Sequence, residues 1–216
     1  GFTMNSNDRM GFYQIMWLYI IGAFLGFVGE TLFHIYSHGE FSNMQGMVYG
    51  PFKPLYGLGA VVMYLIYRNA SEKKYLLVIF SGVVVGTLYE YGVSLFEENV
   101  FGYNSWLYSD GPLVINRRVY LPYCFIWGFV ILFYYLAIPY IKRGYNYLCG
   151  FDWFKRFSFV ACFLMSFNIL LTIGVSVRYV DRSNGVDAKT VIGHTIDVFC
   201  GDEFVREHLP LIRVKK

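Results

Sequence analysis

The chain has 216 residues, of which 56% are hydrophobic, 21% aromatic and only 15% charged. A soluble domain carries roughly one quarter charged residues, so this composition excludes an ordinary soluble protein and points to a polytopic, all-α membrane helix bundle. The net charge of +3 is small, the lysines and arginines gather at the ends of apolar runs, and no basic nucleic-acid module is visible, so no nucleic-acid partner is expected.

Gly1 to Thr3 precede Met4. They read as a leftover of cloning or a natural extension and carry no argument. They open an amino-terminal tail of residues 1–11. The first apolar segment, 12–36, is longer than the apolar region of a secretory signal and lacks a small-residue cleavage site, so it is expected to stay as a span. At about twenty apolar residues per spanning helix, further spans are expected at 52–68, 75–96, 119–141 and 157–179, about five in all, with the second the shortest. Between the last two, Tyr145, Tyr147, Phe151, Trp153 and Phe154 alternate with Lys142, Arg143, Lys155 and Arg156, the pattern of an interfacial amphipathic helix. The bundle is therefore placed at 12–179 and a polar carboxy-terminal tail at 180–216. Of the four cysteines, Cys124 and Cys162 fall in apolar runs and Cys149 and Cys200 outside them. None makes a zinc spacing, and all four read as free thiols.

Positive residues orient the spans. The amino-terminal side holds Arg9, Arg68, Lys73, Lys74, Lys142, Arg143, Lys155 and Arg156, against Lys53, Arg117 and Arg118 in the opposite loops. This places the amino terminus in the cytoplasm, although the tail adds further arginines and lysines to the sparse side. Asn69-Ala-Ser71 fits a glycosylation sequon but lies in a turn on the cytoplasmic side, where it is incidental.

Two carboxylates, Glu30 and Glu90, lie inside apolar spans near the same membrane face. An ionisable group at that depth is costly and normally faces a protein-lined or watery interior where it serves a function. The same face collects the Tyr49-Gly-Pro-Phe-Lys-Pro-Leu-Tyr56-Gly57 segment, Trp106, Tyr108, Asp110 and Arg118. Its prolines and glycines favour a fixed, non-helical approach to the second span. Irregular backbone at that depth is tolerated where it is buried in protein or lines a cavity, so a pocket is expected there. Two neighbouring carboxylates suit proton coupling or general acid and base work; equally, each Glu can serve as a hydrogen-bonded tie between helices.

Gly26-Phe-Val-Gly-Glu30 followed by Tyr49-Gly-Pro51 is echoed by Gly86-Thr-Leu-Tyr-Glu90 followed by Asp110-Gly-Pro112, a parallel internal repeat of a kind found in some transporters. Glu30, His34 and His38 share a helix face, but eight residues of helix cover about 12 Å, so the three cannot hold one metal ion and no metal is expected. Trp106 and Tyr108 read either as headgroup-level aromatics or as a lid that stacks on a sugar, a lipid headgroup or a cation.

The Gly-x-x-x-Glu span, Tyr49-Gly-Pro-x-x-Pro-x-Tyr-Gly-x-Gly59, Glu90-Tyr91, Trp106-x-Tyr-Ser-Asp110, Arg118, Trp127-Gly128 and the closing Ser176, Arg178 and Tyr179 occur in order. In this the chain resembles the CmpB-like, type IV ABC-transporter membrane family from about Trp17 to near its end. The resemblance implies a transport component. Where it implies an acidic residue in the fifth span, this chain has Asn168.

No phosphate-binding P-loop and no dinucleotide fingerprint is present, so no nucleotide cofactor is expected and ATP-derived energy would come from a separate ATPase subunit. There is no serine-hydrolase elbow or zinc-protease motif either. Two functions follow. One is a transport component whose outward cavity, lined by Glu30, Tyr56, Glu90, Trp106, Tyr108, Asp110 and Arg118, binds a small or lipid-like solute among membrane lipids. The other is an intramembrane enzyme acting on a lipid-linked substrate at the outer leaflet, with Glu30 or Glu90 as its base and Arg118 on a phosphate.

Overall fold

The computed structural model describes residues 10–68 and 75–215. The Gly1–Thr3 leader, Arg9, the Asn69-Ala-Ser71 sequon, Lys73 and Lys74 lie outside the described residues. Helix α1 (Phe12–His38) opens where the Gln14 side chain accepts a 2.9 Å bond from the Gly11 N–H. It stops at Gly39, whose φ of +77° lets its N–H return to the Ile35 carbonyl. Helix α2 (Pro54–Tyr67) starts with proline at its first position, where no amide hydrogen is missed. Helix α3 (Tyr75–Phe96) runs into a π-helical turn, Glu97–Phe101, ended by Gly102 at φ +75°. Helices α4 (Leu121–Leu148) and α5 (Asp152–Ser183) follow.

Among the described residues, four helices are long and apolar enough to cross a membrane, namely α1, α3 with its π turn, α4 and α5. Together with the shorter α2 they form an all-α membrane bundle. The stretch 142–156 does not form a separate helix: α4 runs through it to Leu148, the chain bends at 149–151, and α5 begins at Asp152. The 14 residues of α2 cover about 21 Å, less than the roughly 30 Å of a hydrocarbon core. Before Pro54 the chain is extended, and the Lys53 N–H donates to the Ala23 carbonyl of α1 at 3.0 Å.

The pairs α1–α2 and α3–α4 are built by one device. Helix α1 carries Gly22, Gly26 and Glu30 at four-residue spacing, and α3 carries Gly82, Gly86 and Glu90 in the same way. A Cβ on Gly26 would stand 2.2 Å from the Tyr56 ring, and one on Gly86 would stand 2.5 Å from Trp127 Cβ. Only glycine admits the aromatic side chain of the facing helix there. The facing helices answer in kind: Gly57 backs onto Tyr19 and Ala23, and Gly128 onto Ile79 and Val83. The parallel repeat legible in the sequence is thus a repeat of packing, with each carboxylate one turn beyond the glycine that seats the ring. Tyr56 and Trp127 then stack on each other, centroids 5.8 Å apart, which joins the halves.

The segment after Ser183, read from composition as a polar tail, is folded. It forms α6 (Val191–Phe199), α7 (Asp202–His208) and strand β4 (Arg213–Val214). Strand β4 pairs antiparallel with β1 (Tyr103–Asn104). Cys200, Val205 and Leu209 pack with Val48 and Val175 into one buried cluster. The polar residues that gave the segment its character make the attachment. Arg178 donates to Asp197 at 2.7 Å and to Asp181 at 2.9 Å, while Arg182 donates to Asp197 at 2.5 Å and to Asp202 at 2.8 Å. All four cysteines are free thiols, as their spacing predicts.

Candidate functional site

Glu30 and Glu90 open onto one cavity of about 1310 Å³. They are held in different ways. Glu30 forms an ion pair with Lys53, whose side chain is only 10% exposed. That lysine stands at the extended approach to α2, between Phe52 and Pro54. Glu90 is 5% exposed and has neutral donors: Trp127 Nε1 at 2.9 Å and the Tyr108 hydroxyl at 3.1 Å. Glu97, on the same cavity wall, likewise accepts from the Ser105 amide at 2.9 Å and its hydroxyl at 2.8 Å.

Tyr108 reaches Glu90 because a hairpin holds its backbone. Strands β2 (Val114–Ile115) and β3 (Val119–Tyr120) are joined through Asn116, Arg117 and Arg118; Asn116 and Arg117 are at positive φ, 50° and 60°, and the Arg118 N–H returns to the Ile115 carbonyl at 2.9 Å, a tight turn that closes the hairpin. The Arg117 carbonyl accepts from the Tyr108 N–H at 2.8 Å, and Arg117 Nε donates to the Tyr108 carbonyl at 3.2 Å. Burial first, and the Glu90 charge next, push the Tyr108 hydroxyl well above the usual phenol range, so it keeps its proton and donates. Trp106 is fixed beside it by a 2.9 Å bond from Nε1 to the Arg118 carbonyl.

Of the residues the sequence singles out, Glu30, Tyr56, Glu90, Trp106 and Tyr108 line the cavity. Asp110 and Arg118 do not. Asp110 is exposed, 3.9 Å from Arg117. The Arg118 guanidinium is committed to Glu98 and to the Ser94 hydroxyl at 2.9 Å. Lys53 lines the site and was not singled out, although a lone lysine between aromatic and proline residues at the start of an apolar helix is a readable signal. Asn168 has a different use from a charge relay: its amide accepts from the Tyr49 N–H at 3.1 Å and donates to the Tyr49 carbonyl at 2.7 Å. With Thr172, which accepts from the Val48 N–H at 3.0 Å, it pins the loop before α2 onto α5. His34 and His38 stack, ring centroids 4.2 Å apart, and no group of three metal-ligating side chains occurs among the described residues.

The cavity wall is mostly apolar and continues to the outside of the bundle. Leu25 and Phe33 of α1 and Ile126, Phe129 and Phe133 of α4 line it and are also exposed on the outer surface.

Neither a curated protein nor a solved structure matches the chain. The family model described as "Putative ABC-transporter type IV" matches residues 17–173, which span both helix pairs, most of the cavity wall and most of α5, and the chain belongs to that family.

Proposed function

We propose that the protein is the membrane-embedded component of a transport system and that its cavity takes up a lipid-like solute from the bilayer between α1 and α4. The observation that carries this reading is the union, in one space, of buried carboxylates and a wall reaching the bundle's outer surface. A water-borne solute needs no apolar side door, whereas a lipid does. Family membership supports a transport role, and ATP hydrolysis falls to a separate subunit because the chain has no phosphate-binding loop. The loops between spans favour a cytoplasmic amino terminus, which turns the cavity outward. Residues 12–179 act as the bundle and 180–216 as its cap. The enzymatic alternative loses its phosphate-holding group, since Arg118 is turned to Glu98 outside the cavity.

Native mass spectrometry of the detergent-extracted protein tests this reading, with wild type compared with Glu30→Gln and Glu90→Gln. A bound lipid-like mass in wild type that is lost from both variants is expected, together with a copurifying ATPase. Ligand-free spectra throughout would overturn it, and a chemically altered bound lipid would replace transport with catalysis.

A further inference from the structure

The cavity's charges do not balance. Among the described residues its wall holds three carboxylates, Glu30, Glu90 and Glu97, and one lysine, Lys53, with His34 and His38 as its other basic side chains. Lys53 is used by Glu30, and the two histidines stack on each other near the end of α1. Glu90 and Glu97 have only uncharged donors. Neutral hydrogen bonds offset part of the cost of burying a carboxylate at membrane depth, but an opposite charge offsets far more. The space beside Glu90 is walled by Tyr56, Tyr89, Tyr108, Tyr123 and Trp127, rings whose electron-rich faces attract organic cations. At about 1310 Å³ the cavity exceeds the usual drug-sized site of roughly 300–1,000 Å³, leaving room for a headgroup and part of a chain.

We infer that the solute is a cationic amphiphile, with an ammonium headgroup against Glu90 among the aromatic rings and its hydrocarbon chain leaving between α1 and α4. This rests on the lipid-uptake reading above and adds the sign of the headgroup to it. Lys53 then has a selective role: it cancels Glu30 and its charge also reaches Glu97, so the attraction is concentrated at Glu90.

The test is binding to the full chain in nanodiscs of uncharged lipid, with empty nanodiscs as blank. The probes are three dodecyl amphiphiles that differ only in headgroup: trimethylammonium, sulfate and an uncharged glycoside. The quantity read is the ratio of cation to uncharged affinity, which does not depend on the fraction of folded protein. In wild type this ratio is expected to be at least about thirtyfold, the scale of a buried charge contact, with sulfate weakest. Glu90→Gln is expected to bring the ratio toward one. Lys53→Gln, which frees the Glu30 charge, is expected to raise it. A wild-type ratio near one, or a ratio unchanged in Glu90→Gln, overturns the cation assignment while uptake of lipid stands. Failure of all three probes to bind wild type overturns both.

Discussion

At Gly26 and Gly86 the absence of one methyl group decides where two aromatic side chains sit, and through them where both carboxylates point. Alanine at either position forces a Cβ to within 2.5 Å or less of Tyr56 or Trp127, and overpacking of this kind costs about 1–3 kcal/mol. Gly26→Ala and Gly86→Ala are therefore expected to lower the melting temperature in detergent. Gly29→Ala and Gly92→Ala, where a Cβ meets nothing within 4 Å and alanine is the better helix former, are expected to leave it unchanged or raise it. Asn168 makes a comparable test. Asn168→Asp removes the donor to the Tyr49 carbonyl and sets a carboxylate against it, a loss of about 1–3 kcal/mol, read as earlier melting and faster proteolysis of the loop before α2. The carboxylates themselves were legible as charges inside apolar spans. Their partners were legible only in part: Tyr108 was placed on the same wall as Glu90, whereas Trp127 reaches Glu90 from another helix and Lys53 pairs with Glu30 from the approach to α2.

The spanning elements follow from apolar length, and α1 begins where the sequence places it. The ends of α4 and α5 run further than the apolar runs, because aromatic and basic residues at 142–156 continue the helices instead of lying flat between them. The segment beyond Val180 escaped composition altogether: α6 and α7 are short, β4 pairs two residues, and what fixes them is the Arg178, Arg182, Asp197 and Asp202 cluster. Arg178, ahead of Arg182, holds the Asp197 carboxyl down at about 2 from its ordinary 3.8. Because the folded value lies below the unfolded one, this attachment contributes fully above about pH 4 and is lost as pH falls toward about 2. Protection of α6 from hydrogen exchange is expected to be constant from neutral pH down to about 5 and to disappear over that lower window. Asp197→Asn is expected to lose it at every pH, and a variant as well protected as wild type would contradict the role given to this cluster.

Over the whole molecule, two helix pairs repeat one glycine-and-aromatic joint and bring Glu30 and Glu90 to a common space, while α5 and the cap close one side and the α1–α4 side stays apolar. The faint sequence repeat carried this architecture, since Gly-x-x-x-Glu recurs in both halves. The proposed sideways opening was not legible, because it depends on how the apolar residues of α1 and α4 are spaced across the bundle. Sidedness rests on the loop charges, and an impermeant thiol reagent applied to intact cells is expected to label a cysteine placed at exposed Lys189 and not one placed at Lys155. The lateral cavity is tested most directly by photocrosslinking in membranes with a lipid carrying a diazirine on its chain, followed by peptide mapping. Adducts are expected to concentrate on Leu25, Phe33, Ile126, Phe129 and Phe133 and to be competed by excess unlabelled ligand. Adducts spread equally over the outer faces of α3 and α5, at Leu76, Phe80, Phe163 and Leu170, without competition would contradict it.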